Sequence, residues 1–155
     1  DIIPISVKGS PREVLDETIV LSDTTLSYYG ATIGNPHCVV LTDQLCESTA
    51  RKYGPELENH PLFPNRTNVQ FLKIIDRNRI KIEIWERGAG YTLASGSSSS
   101  AAGAVARKMG ACDEEITEEM PGGEITLNID NDFNVRMKGP ATRVGKMILD
   151  TECLA

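Results

Sequence analysis

From Ser95 to Ala106 the chain reads Ser-Gly-Ser-Ser-Ser-Ser-Ala-Ala-Gly-Ala-Val-Ala, and no side chain in it is larger than valine. A Gly/Ser tract on its own is a flexible linker. Here helix formers follow at once, Arg107 and Lys108 stand where a last turn favours cations, and Gly110 follows as a terminator. A helix therefore starts within the serines, at Ser97 or Ser98, and runs to about Met109. With so little bulk it suits a place enclosed by sheet, not a surface, and close strands on several sides would make Ala104→Leu overpack the core.

The rest of the chain supplies those strands. Ile2 to Val7, Glu17 to Ser22, Tyr28 to Ile33 and Cys38 to Leu41 are short Ile-, Val-, Thr- and Tyr-rich runs between turn formers. Val69 to Asp76 and Arg79 to Glu86 alternate around Arg77-Asn78 as a hairpin. Ile116 to Met120 and, after a Pro121-Gly122-Gly123 turn, Glu124 to Ile129, Phe133 to Lys138 and Ala141 to Leu149 continue the pattern. One more helix is signalled. From Thr42 or Asp43 as cap, Leu45, Thr49 and Tyr53 recur at helical spacing and end at Gly54-Pro55, with a proline-interrupted loop over 57–67. No linker or repeat divides residues 1–155, so they read as a single domain.

Charge and cysteine usage exclude several partners. Sixteen Lys and Arg against 22 Asp and Glu give −6 and a pI near 4.9, without a basic cluster longer than a pair, which argues against nucleic acid and anionic membranes. No apolar run reaches the roughly 18 residues of a membrane-spanning helix. Cys38, Cys46, Cys112 and Cys153 are scattered, and His37 and His60 have no partner at metal-ligand spacing, so the expectation is a cytoplasmic protein with ordinary thiols and no metal. A beginning of Asp-Ile-Ile-Pro reads as a piece of something longer.

Two constellations could carry chemistry. Gly34-Asn35-Pro36-His37 is a turn between strands and by itself a plain hairpin connection. Glu86-Arg87-Gly88-Ala89-Gly90 followed by Ser95-Gly96-Ser97 sets an acid, a base and a glycine-rich turn beside a helix N-terminus, where backbone N–H groups suit a carboxylate or phosphate.

Gly34 to His37, Asn65-Arg66-Thr67-Asn68-Val69 and Glu86 to Gly96, in this order and spacing, resemble the C-terminal half of the diaminopimelate epimerase family. Pro121-Gly122-Gly123 and Met137-Lys138-Gly139-Pro140-Ala141 resemble its later turns, so the similarity spans essentially the whole chain. The resemblance implies an α+β fold, a mixed and mostly antiparallel sheet curled around a central helix. This would be the C-terminal half of a two-domain, pseudo-symmetric enzyme with the active site between the halves, compatible with a homodimer. The family inverts an amino-acid α-carbon by two-base proton transfer without cofactor or metal, one cysteine from each half facing either side. Carried over, His37 and Glu86 tune the acid/base pair. Asn35 and Asn68 bind polar groups of an amino-acid substrate, Arg87 grips a carboxylate, and the amides of Gly96 and Ser97 hold the α-carboxylate.

The sequence departs from that pattern at two places. Ser95 stands in the Ala-x-Gly position of the family's second cysteine, and a hydroxyl is a far weaker acid than a thiol; Ser100, near the same helix end, is where some relatives carry another cysteine. Tyr91 replaces the family's usual Glu, which bears on the choice of amino acid. Neighbouring readings are a racemase of another amino acid such as histidine, a carbon-skeleton isomerase using Glu86 as its base, and a non-catalytic amino-acid-binding domain. The isolated fragment is expected to be inactive.

Overall fold

The computed structural model describes residues 7–154. In chain order it contains β1 (Glu17–Val20), β2 (Thr25–Thr32), β3 (Pro36–Leu41), α1 (Glu47–Glu58), β4 (Asn68–Asp76), β5 (Arg79–Glu86) and β6 (Gly90–Thr92). Then follow α2 (Gly96–Lys108), β7 (Glu115–Met120), β8 (Gly123–Ile129), β9 (Val135–Lys138) and a 3-10 turn (Thr151–Leu154). The strands form one sheet in the order β1-β2-β3-β4-β5-β7-β8-β9, with β6 added to β5. The β3–β4 and β5–β7 pairs are parallel and the others antiparallel. No helix among the described residues is long and apolar enough to cross a membrane.

Alternation along the strands makes two cores. Val39, Leu72, Ile80, Ile82, Ile84, Ile116, Leu127 and Ile129 project onto α2, and each such aliphatic contributes about 1.5–3 kcal/mol when buried. Cys38, Val40, Val69 and Phe71 project to the other face, beneath Ala50 and Leu57 of α1. Strands β2, β3, β4, β5, β7, β8 and β9 touch α2, so the sheet curls around it, as expected of a helix built from small residues. The tightest approach is at Gly103, where a Cβ would lie 2.5 Å from Leu127 Cδ1. Ala104 differs from the expectation. It lines a cleft of about 520 Å³ with Val14, Ala31 and Phe133, so a leucine there has room and the overpacking position is Gly103.

Three further expectations need correction. Helix α1 begins after Cys46, not at Thr42 or Asp43, because the Thr42 hydroxyl accepts the Gln44 amide in a local turn and the Thr42 amide is taken by the Leu72 carbonyl. It also runs through Gly54 and Pro55 to Glu58, since packing on β5 outweighs the one hydrogen bond that proline removes. Residues 141–149 form no strand. Their alternation is strand-like, but no described strand pairs with them and all are exposed. The expected strand Ile2 to Val7 lies, but for Val7, outside the described residues.

Candidate functional site

The sheet forks at β5. Its first residues, Arg79 to Lys81, pair with β7 and its last, Ile84 to Glu86, with β6. The chain leaving β6 passes this fork through Leu93-Ala94 into α2. The Pro121-Gly122-Gly123 turn abuts that passage: the Gly122 amide donates to the Leu93 carbonyl at 2.7 Å, and a Cβ on Gly122 would lie 2.9 Å from the same oxygen.

Ser95 is the cap of α2. Its backbone is extended and its Oγ accepts the Ser98 amide at 3.4 Å, while its carbonyl receives the Ser99 amide and hydroxyl. The amides of Gly96 and Ser97 have no acceptor among the described residues. They are two of the donors that every helix start leaves over, at the positive end of the helix dipole. The Met137 methyl lies beside them, close enough that a Cβ on Gly96 would come within 2.9 Å of it. Ser100 is buried and turns its hydroxyl back to the Gly96 carbonyl at 2.9 Å.

Ser98 ties this helix end to the sheet, its Oγ accepting from Gln70 Nε2 at 3.0 Å. Gln70 Oε1 and His37 Nδ1 are both buried without a partner, at adjacent same-face positions of the β3–β4 pair. His37 Nε2 lies 3.1 Å from Asn35 Oδ1. Burial pushes the imidazole pKa down to about 4; Gln70 and the Glu86 carboxylate oppose this and the Arg87 guanidinium adds to it, so His37 is neutral at pH 7.

Asn68, beside His37, clamps two turns. Its Nδ2 donates to the Pro36 carbonyl at 2.9 Å and its Oδ1 accepts the Arg87 amide at 3.1 Å. The Arg87 guanidinium donates to the Asn65 carbonyl at 2.9 Å, and Glu86 Oε2 accepts from the Thr92 hydroxyl at 3.2 Å. Gly88 and Gly90, at φ +78° and +81°, give the turn a backbone that side-chain-bearing residues rarely adopt.

Asn35, His37, Asn68, Glu86 and Arg87 thus come together, and Gln70 and Ser98 join them to Ser95, Gly96 and Ser97. The carboxamides of Asn35 and Asn68, expected to face substrate, are engaged with His37 and with backbone respectively. Gln70, Ser98 and Glu58, whose carboxylate receives the Gly88 amide, were missed. A polar residue alternating with Val69 and Phe71 on a buried strand was a signal for Gln70; nothing local marked Glu58.

Tyr91 does not reach this cluster. It projects to the α1 face, where its hydroxyl donates to Glu83 at 2.6 Å and the Arg51 guanidinium stacks over its ring at 4.4 Å. The replacement of Glu at this position therefore alters the opposite face of the sheet. Cys38 also lies on that face, fully buried, with its thiol pushed up by burial. Cys46 caps α1, exposed and pushed down by the hydroxyls of Ser48 and Thr49.

The same fold occurs in a hydroxyproline epimerase from Agrobacterium vitis, at a TM-score of 0.56 and 16% identity over 85% of this chain and 43% of that one. A Bacillus anthracis phenazine biosynthesis protein of the PhzF family matches at a TM-score of 0.52 and 15% identity, over 72% of this chain and 38% of that one. The sequence model described as diaminopimelate epimerase matches residues 29–144. Diaminopimelate epimerase 2 of a Nostoc species is 54% identical over 97% of this chain and 53% of its own length. The diaminopimelate epimerase of Carboxydothermus hydrogenoformans is 38% identical over 93% of this chain and 52% of its own. The chain belongs to the diaminopimelate epimerase family, and it spans about half the length of the curated relatives it matches.

Proposed function

We propose that this chain is the C-terminal half of a cytoplasmic, cofactor-independent amino-acid epimerase acting on diaminopimelate, its other active-site wall coming from an N-terminal half of the same protein. The observation that carries the reading is the start of α2, where the unpaired amides of Gly96 and Ser97 adjoin Ser95 and are linked through Ser98 and Gln70 to the His37, Glu86 and Arg87 cluster. The α-carboxylate sits on those amides, with Arg87 supplying a second carboxylate grip. When the α-proton leaves, charge spreads into that carboxylate, and fixed amide dipoles in a water-poor site stabilise it. The proton is taken on one face of the α-carbon and another returned on the opposite face. Ser95 stands where one of these transfers is made; the second group belongs to the other half. Neutral His37 and the carboxylate of Glu86 set the polarity around them. Because Tyr91 faces α1, the departure there does not count against diaminopimelate, and the name of the 54%-identical relative favours it.

Serine is the weak point of such a site, and this gives the test. The chain joined to the N-terminal half of the Nostoc relative is incubated with diaminopimelate in deuterated water and α-deuteration is followed. A Ser95→Cys version should exchange at least about a hundredfold faster than Ser95→Ala, the usual scale of a positioned acid or base. The 155-residue chain alone should not exchange. Exchange by the chain alone, or equal rates for the two joined variants, would overturn the proposal.

A further inference from the structure

Glu58, the last residue of α1, is 5% exposed, and its carboxylate collects three donors from two stretches of chain, one at Arg66 and one running from the end of β5 into the turn after it. Its Oε1 accepts from the Arg66 guanidinium and from the Gly88 backbone N–H, both at 2.9 Å, and its Oε2 accepts from the Trp85 indole N–H at 2.8 Å. Its own carbonyl accepts the Thr67 amide at 3.3 Å. We infer that Glu58 is the positioning residue of the candidate carboxylate site, holding the Glu86–Gly90 turn so that Arg87 stays between Asn68 and Asn65.

The turn needs such a hold. Gly88 and Ala89 are exposed, and glycine leaves the backbone many alternatives. The ends of the turn are closed by the β5–β6 pairing of Glu86 with Gly90 and by the Thr92 hydroxyl, which contacts Glu86 Oε2 and the Gly90 carbonyl. Within it, besides the Gly88 bond, the links are the Arg87 amide on Asn68, the Arg87 side chain on Asn65 and the Ala89 amide on the Glu86 carbonyl. Asn65 and Asn68 flank Arg66, which sits at φ +58°, a conformation uncommon for a residue with a side chain. The charge-assisted bond to Glu58 holds it there. One carboxylate thus fixes both the turn that carries Arg87 and the segment that carries its two partners.

This inference rests on the reading of Arg87 and the α2 N-terminus as a carboxylate site, and the sign of one effect separates positioning from bare electrostatics. Removing a negative charge near an anion site should tighten anion binding through space; loss of positioning should weaken it. Two measurements on the labelled 155-residue chain decide. In Glu58→Gln, which keeps shape but loses charge and an acceptor oxygen, amide exchange at Gly88 should rise at least about tenfold. Titration of the same variant with diaminopimelate should show binding at Gly96 and Ser97 weakened at least about threefold, in a protein whose melting remains cooperative. Glu58→Ala should move both in the same direction and further. Unchanged Gly88 exchange in Glu58→Gln, or binding that is unchanged or tighter, overturns the inference. If the unmodified chain shows no response to diaminopimelate, the carboxylate reading itself fails, and the exchange measurement still reports whether Glu58 holds the turn.

Discussion

Between pH 4 and pH 8 the stability gap between Glu118→Gln and the unmodified chain is expected to widen by about 3 kcal/mol in favour of the variant. Glu118 lies on β7, fully buried on the α2 face, and neither carboxyl oxygen has a hydrogen-bond partner. Its register neighbours are Ile80 on β5 and Ile125 on β8, and the polar group it meets is the Ser99 hydroxyl. Burial raises its pKa from the ordinary 4.5 to about 7, against a smaller opposing effect of Ser99. The unfolded chain releases this proton through pH 4.5 and the folded chain only through about 7, so folding binds a proton between them. Stability is therefore lost as pH rises across that window, and glutamine, which does not titrate, escapes the loss. His37 acts with the opposite sign. Its pKa falls from 6.5 to about 4, so the unfolded chain takes up a proton that the folded one refuses, and stability is lost as pH falls through that range. Subtracting the variant's denaturation curve from the parent's at each pH isolates Glu118. A gap that stays constant from pH 4 to pH 8 would show that Glu118 is hydrated or paired.

Gly54→Ala is expected to destabilise by about 3 kcal/mol, at the upper end of what overpacking a core costs. A Cβ at this position would run into Cβ, Cγ and Cδ2 of Trp85, all well inside van der Waals contact. The ring is not free to swing aside, because its indole N–H is bonded to Glu58 at 2.8 Å. The strain therefore passes either into the α1–β5 packing or into the Glu58 carboxylate that holds Gly88. Chemical denaturation measures the first. Faster Gly88 exchange would trace the second. A loss under about 1 kcal/mol would mean that α1 shifts away from the sheet at little cost.

The parts of the fold that sequence revealed are those where local pattern and tertiary packing agree. The β4–β5 hairpin is legible because period-two alternation stops at Arg77-Asn78, and α2 because its small residues leave few other places to put it. Helix α1 misleads at both ends for one reason. Thr42 and Pro55 carry strong local preferences, but Thr42 is claimed by the neighbouring strand β4, and Gly54 must lie under Trp85, which carries the helix past Pro55. The 141–149 segment shows the converse: alternation describes which face a strand would present, but it cannot supply a hydrogen-bonding neighbour. For the site, turn residues such as Asn35, Glu86, Arg87 and Ser95 are marked by their glycine- and proline-rich surroundings. Gln70 and Glu58 are embedded in ordinary strand and helix, and the contacts that tie them to the site, Gln70 with Ser98 and Glu58 with Gly88, span 28 and 30 residues. The meaning of Tyr91 was equally hidden, since one step along β6 decides between the α2 face and the α1 face.

The central claim is that the start of α2, together with Arg87, holds a carboxylate. Titration of the isotope-labelled 155-residue chain with diaminopimelate at low salt, read at the Gly96 and Ser97 amides, tests it most directly. Affinity should be weak, because a half-open site is wet and screened, but saturable shifts should appear at those two amides. Arg87→Ala should abolish them. Lys108→Ala, at the far end of the helix and paired with Glu13 at 2.8 Å, should leave them intact. Equal loss in both variants, or no response at Gly96 and Ser97 in the unmodified chain, would mean diffuse attraction or none, and would contradict a defined carboxylate site at this helix end.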